Sequence, residues 1–370
     1  MHRTAAAALG IAALLATTWA VQVRADSSNG AYSAEIDVRL STVRNLITAK
    51  DYPGAMKMAE EITESTPTIP DGWMLLGYVR SVTGEYGASN EAYDKALSLG
   101  ADRHEVMVAK TYNCRKLGDA TQTRECYREI VNLDPENIDA WVQFAAFEAS
   151  VENYDDAVEC YATALKMDPN NTDIMEAVSR VEEKRGNTAQ AVAWLESGLS
   201  FDPNNTRLLK RLVVISLNAQ DYTRCVGYAD RVIAIDPNDD TVQRNRALAL
   251  YQKGDKKAAI ESFEKVAELD NGKLDNLYGP LADCYRADGR DADALRVIQN
   301  GIEAGNQQAW LYSLWGKMLE DQKQYDAAID KFNKAVAASD QLWSDYARKQ
   351  IARQNQLKKR EAMIAAQNGM

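Results

Sequence analysis

Small and bulky residues alternate along this chain on a 34-residue period. Steps of 34, with one residue inserted before the eighth, give segments starting at Ile36, Pro70, His104, Ile138, Thr172, Thr206, Asp240, Asp275 and Ala309. Their twentieth positions read Ala55, Ser89, Thr123, Ala157, Ala191, Cys225, Ala259, Ala294 and Ala328. The eighth positions read Val43, Gly77, Thr111, Ala145, Ser179, Val213, Ala247, Ala282 and Gly316. Small side chains recurring at fixed points let two helices approach closely. Bulky residues stand between them, such as Trp73, Leu76 and Tyr93 in the second segment, Trp141, Phe144 and Tyr161 in the fourth, and Tyr278, Leu281 and Tyr285 in the eighth. A repeated stop separates the segments. Pro67, Pro135, Pro169, Pro203 and Pro237 share one place on the ruler, and Asp134, Asp168, Asp202 and Asp236 precede the last four, with Asn following within two residues. Proline lacks an N–H and drives its predecessor out of the helical region, while Asp and Asn supply turn bonds. The pattern predicts an all-α chain with one helix–turn–helix unit per segment.

The spacing resembles the tetratricopeptide repeat, whose signature runs Trp, Leu-Gly, Tyr, then Ala, an aromatic and Pro. The second segment carries it as Trp73, Leu76, Gly77, Gly84, Tyr86, Tyr93 and Ala96. The resemblance spans nine repeats over residues 36–342 and is loosest in the first, sixth and eighth. It implies a right-handed superhelical solenoid in which the first helix of each pair lines a concave groove. Neighbouring pairs must stack, because no pair buries its apolar face alone.

Both ends differ from the array. Arg3, the apolar run Ala5–Ala20 and the small residues before Asp26 make residues 1–25 read as a secretory signal peptide, with an uncleaved anchor as the rival reading. Residues 26–35 are then a polar leader, and the mature protein is expected in the periplasm or secreted, without stable membrane insertion. Residues 343–370 read as a capping helix with a tail, since Trp343, Ala347 and Ile351 fall four apart.

Composition narrows the chemistry. The chain carries 43 basic and 54 acidic residues for a net charge of −11, and losing Arg3 and Arg24 with the signal peptide makes it more negative. Such a surface repels nucleic acid. One histidine, His104, remains after cleavage, and neither a phosphate-cradling loop nor a nucleophile elbow is present. No catalytic residue, metal or cofactor is therefore expected. The five cysteines are an odd number for an exported chain, so at least one thiol is unpaired or intermolecular, and Cys114 and Cys225 read as small buried hydrophobes. The sequons at Asn170 and Asn204 coincide with the repeat's own turn.

Candidate binding residues lie on the first helices. Positions 2, 5, 6, 9, 12 and 13 fall opposite the packing positions 4, 7, 8 and 11. Position 5 reads Leu40, Met74, Val108 and Val142 before turning to Glu176, Lys210 and Arg244, and position 9 adds Tyr78 and Tyr112. An apolar stripe here marks a partner site, or helix–helix core if the register is displaced. Farther on, Arg207, Lys210 and Arg211 occupy positions 2, 5 and 6 of the sixth segment, between Arg180 and Arg244. Arginine forks grip carboxylates bidentately, so this patch either favours an acidic ligand or pairs with neighbouring acids. Of the family's carboxylate clamp, Lys210 and Asn245 match, while Val214, Asn276 and Pro280 do not. The leading expectation is a non-enzymatic scaffold of the cell envelope that binds a protein or peptide segment, with acidic residues where the basic patch lies. The alternatives are a glycan- or peptidoglycan-associated module stacking sugars on Tyr78, Tyr112 and Trp310, and a self-assembling array. The one-residue slip through Asn271, Gly272 and Lys273 is a hinge or an irregularity.

Overall fold

The computed structural model describes residues 33–305, 308–338 and 340–368. The expected signal peptide and the leader up to residue 32 lie outside the described residues. Every regular element among those described is helical: 19 α-helices and one 3-10 turn, packed in successive pairs. The chain divides into two compact units at Pro169 and Asn170.

The first unit holds four pairs: α1 (Ala34–Thr48) with α2 (Tyr52–Ser65), α3 (Pro70–Thr83) with α4 (Tyr86–Ser98), α5 (Arg103–Leu117) with α6 (Ala120–Leu133), and α7 (Ile138–Ser150) with α8 (Tyr154–Met167). The leader's last two residues, Ala34 and Glu35, already belong to α1. The second unit continues with α9 (Thr172–Lys184) and α10 (Thr188–Phe201), α11 (Thr206–Asn218) and α12 (Tyr222–Ile235), and α13 (Asp240–Lys253) and α14 (Lys256–Leu269). A 3-10 turn at Asp275–Leu277 precedes α15 (Tyr278–Ala287) and α16 (Asp291–Glu303), followed by α17 (Gln308–Asp321), α18 (Tyr325–Ala337) and the long α19 (Gln341–Asn368).

The turn residues do the work their chemistry suggests. Asn137, Asn171, Asn205 and Asp239 each accept a backbone N–H from the first turn of the following helix, which satisfies a donor that has no partner within the helix. Three side chains at position 4 donate back across the stop: Trp73 to the Pro67 carbonyl and Trp141 to the Pro135 carbonyl at 2.9 Å, and Gln243 to the Pro237 carbonyl at 3.1 Å. At the slipped junction, Leu274 and Leu277 are buried and the Tyr278 hydroxyl donates to the Gly272 carbonyl, so packing ties the inserted residue down. Pro280 is tolerated because it lies in the first turn of α15, where helix N–H groups lack an intrahelical acceptor.

Close helix packing rests on two registers. All nine residues at position 20 are fully buried, from Ala55 to Ala328. Position 8 works against position 24: a Cβ on Gly77 would come within 2.7 Å of the Tyr93 ring, and one on Gly316 within 2.8 Å of Phe332. The volumes compensate. Where position 8 is small, as at Ala145, Ala247 and Ala282, position 24 holds Tyr161, Phe263 or Ile298; where it enlarges to Val43 or Val213, position 24 shrinks to Ala59 or Ala229. Cores tolerate exchanges that conserve total volume. Gly77→Val is therefore expected to cost about 1–3 kcal/mol in urea unfolding, from overpacking. Combining it with Tyr93→Ala reproduces the Val–Ala solution of the first pair, and a coupling of about 1–3 kcal/mol between the two changes is expected in a double-mutant cycle. Strict additivity would show that the two positions are not in register.

Candidate functional site

The sequence pattern singles out two places on the first helices, and they have opposite characters. In the first unit, α3 and α5 lie side by side, and the space between them is a cleft of about 240 Å³. Met74, Tyr78, Val108 and Tyr112 line it, joined by Ser81, Val82, Tyr93, His104, Glu105 and Ala109. Met74 is 5% exposed and belongs partly to the core, whereas Tyr78, Val108 and Tyr112 are half-buried. Val142, also half-buried, lies on α7 and is not part of the lining. The volume falls below the roughly 300–1,000 Å³ of sites for drug-sized ligands and suits one or two apolar side chains.

A buried polar network holds the walls. Ser81 donates to Asn113 Oδ1 at 2.6 Å, and the Asn113 amide donates to Ser89 Oγ and Asn90 Oδ1 at 2.8 Å each. Ser89 in turn donates to the Gly77 carbonyl at 2.6 Å. Helices α3, α4 and α5 are thus cross-linked directly behind the cleft, and a fully satisfied network of this kind rigidifies a core. Burial raises the pKa of the Tyr78 phenol, with smaller contributions from Tyr52 and Tyr112. Tyr112 stands edge-on to Tyr86 at 6.2 Å, with the Lys116 ammonium 5.5 Å from its ring centre. At the opposite end, burial and the charges of Asp102 and Asp71 raise the Glu105 carboxyl above its usual range.

The cationic residues of the second unit have carboxylate partners within the fold. Arg180 and Arg207 both pair with Glu176, which is 4% exposed, and Arg207 also pairs with Asp173. Lys210 meets Asp239, and Arg211 meets Glu183. Arg244 is held by Asp240 at 2.8 Å and Asp270 at 2.9 Å. Asn245 is half-buried on α13. Intramolecular pairing, one of the two readings open from the sequence, therefore describes this patch. Trp310 is also engaged: it stacks on Trp343 at 5.4 Å and 6°, and it packs so closely on Gly279 that a Cβ there would fall 2.6 Å from its ring. The Trp343 ring thus occupies one face that a sugar would stack on.

Sequence reasoning missed Ser81, Val82, His104, Glu105 and Ala109 as site residues. Four of them sit at positions 12, 13, 2 and 6 of their segments, on the face already marked by Met74 and Tyr78. The five cysteines are buried free thiols, and burial raises Cys126 and Cys225 to about 11 and Cys160 and Cys284 to about 12, which keeps them neutral. Among the described residues no group of three or more His, Cys, Asp or Glu is placed to hold a metal, and no helix is long and apolar enough to cross a membrane.

Paired helices on a 34-residue period, stacked so that first helices share a face, define a helical-repeat protein. Residues 149–206 and 245–273 match two family models, each described as a tetratricopeptide repeat. The C-terminal part of a TPR repeat-containing protein from Cytophaga hutchinsonii is similar in fold at 12% identity and a TM-score of 0.52, covering 63% of this chain and 96% of that one. A tetratricopeptide repeat protein from Parabacteroides merdae aligns at 18% identity and a TM-score of 0.43, covering 68% of this chain and 98% of that one. YrrB, described as a TPR protein with an unusual peptide-binding site, aligns at 17% identity and 0.39, covering 47% and 89%. No curated protein matches the sequence. These two matches and the successive helix pairs support a tetratricopeptide-repeat protein.

The pairing in the second unit makes a stability prediction. Arg207→Ala removes one of the two arginines on the buried Glu176 and is expected to cost about 1–3 kcal/mol in urea unfolding. Lys210→Ala, which removes a nearly half-exposed lysine paired with Asp239, should cost no more than about 1 kcal/mol. Equal, negligible effects would mean that the cluster is solvated rather than structural.

Proposed function

We propose that this protein is a non-enzymatic interaction scaffold of the cell envelope that holds a segment of a partner protein against the first-helix face of its N-terminal unit. The observation that carries this reading is the cleft between α3 and α5. Its walls are apolar and aromatic on a face that solvent alone would make polar, and the network behind it fixes its shape before anything binds. A partner's side chain entering such a pocket loses little further freedom on the protein's side, and pre-organisation of that kind favours affinity.

Placement in the envelope rests on residues 1–25, which have the charged start, apolar run and small-residue end of an export signal. The glycan reading is weaker than the protein reading because Trp310 is stacked on Trp343 and Tyr112 packs against Tyr86 in a T-shaped pair. The chain from Asp26, gently crosslinked in its native envelope, should yield one protein partner by mass spectrometry. The Val108→Gln variant should recover at least tenfold less of it. Recovery of glycan, of copies of the chain itself, or of the same partner in equal yield from the variant would overturn the proposal.

A further inference from the structure

We propose that the cleft between α3 and α5 selects a partner segment in which a bulky apolar residue is flanked by lysine or arginine. This inference rests on the cleft being the docking site and concerns the sign of charge that the site reads.

Position 2 of the first helix carries an acid in all four pairs of the N-terminal unit: Asp37, Asp71, Glu105 and Asp139. An acid in a helix's first turn is favoured by the macrodipole, which explains each one singly. It does not explain how they stand together. Within the second unit, Arg207 at position 2 of its pair contacts Asp173 at position 2 of the preceding pair, so side chains at this position reach one another across neighbouring pairs. In the N-terminal unit the same register brings Asp71 within electrostatic reach of Glu105. Among the described residues none of the four makes an ion pair with a lysine or arginine. Asp37, Glu105 and Asp139 are exposed and Asp71 is half-buried, so the column borders solvent along one side of the apolar stripe. Partial burial is the main cause that raises the Glu105 carboxyl, and the charges of Asp102 and Asp71 add to it. His104 offsets this only in part, and Asp102 also caps α5 through the Glu105 N–H at 2.8 Å.

Apolar cleft and unpaired carboxylates thus meet at Glu105, which belongs to both. The complementary occupant presents an apolar side chain to Val108 and Tyr112 and cations to the position 2 column. Stacked helices stand about 8–10 Å apart, which corresponds to about three residues of an extended chain. Lysine or arginine recurring every third residue of a polyproline II segment, which turns once in three residues, would follow the column. The charge preference is opposite in sign to that expected from Arg207, Lys210 and Arg211, because those cations are neutralised within the fold.

The test uses the full mature chain and two synthetic fluorescent 12-residue peptides with identical Leu and Phe anchors, one with Lys and the other with Glu at the flanking positions. Fluorescence anisotropy should show the Lys peptide binding at least tenfold tighter at low salt, with the preference shrinking as salt rises. In the Asp71→Asn, Glu105→Gln double variant the preference should fall below threefold. That variant relieves repulsion and should keep the wild-type melting temperature or exceed it. Val108→Gln should weaken both peptides. Equal binding of the two peptides, lost in Val108→Gln, would overturn the charge preference and leave the docking site standing. A preference that survives the double variant would also overturn it, by placing the cation contact elsewhere. Failure of both peptides to bind would overturn both the preference and the docking site.

Discussion

A ring from the second helix of a pair lies against a residue of the first that is too small to hold it off, and the stacking of the array depends on that contact. Tyr93 on Gly77 and Phe332 on Gly316 set how closely two helices approach. Closeness at position 8 turns the opposite face of the first helix, positions 2, 5 and 9, away from its own partner. The proposed binding face is therefore a by-product of the packing. The constraint is on summed volume rather than on residue type, which is why Val43 with Ala59 and Val213 with Ala229 serve as well as glycine with tyrosine.

Given that geometry, each unit treats its first-helix face differently. In the N-terminal unit the face is apolar with acids beside it, and the buried Ser81–Asn113–Ser89 bonds hold it in place from behind. In the second unit the corresponding positions carry both signs of charge, and Glu176, Asp239 and Glu183 neutralise the cations that look most like a ligand site in the sequence. A cation already paired with acids of its own fold would have to give up or share those partners to bind an acidic ligand.

Fold was legible because its signals are local and repeated. A proline preceded by aspartate stops a helix whatever surrounds it, and nine small residues at position 20 imply close packing without any knowledge of neighbours. The apolar half of the candidate site was legible for the same reason: Met74, Tyr78, Val108 and Tyr112 fall on one helical face by arithmetic. The charged half was not. Whether Arg207 is available depends on Asp173 and Glu176, which reach it from a neighbouring repeat 31 to 34 residues earlier in the chain, and a one-dimensional pattern does not say which side chains lean together. Trp310 misleads for a similar reason, since the groups that pack on it, the Trp343 ring on α19 and the backbone at Gly279, come from different repeats.

The most direct measurement places a photo-crosslinking amino acid at Val82, on the rim of the cleft and 43% exposed, and in a second protein at Lys210. If partner recognition belongs to the N-terminal unit, illumination in the native envelope should join the partner to the chain labelled at Val82 and leave the chain labelled at Lys210 uncrosslinked. A crosslink at Lys210 with none at Val82 would contradict it and return the binding site to the cationic helices of the second unit.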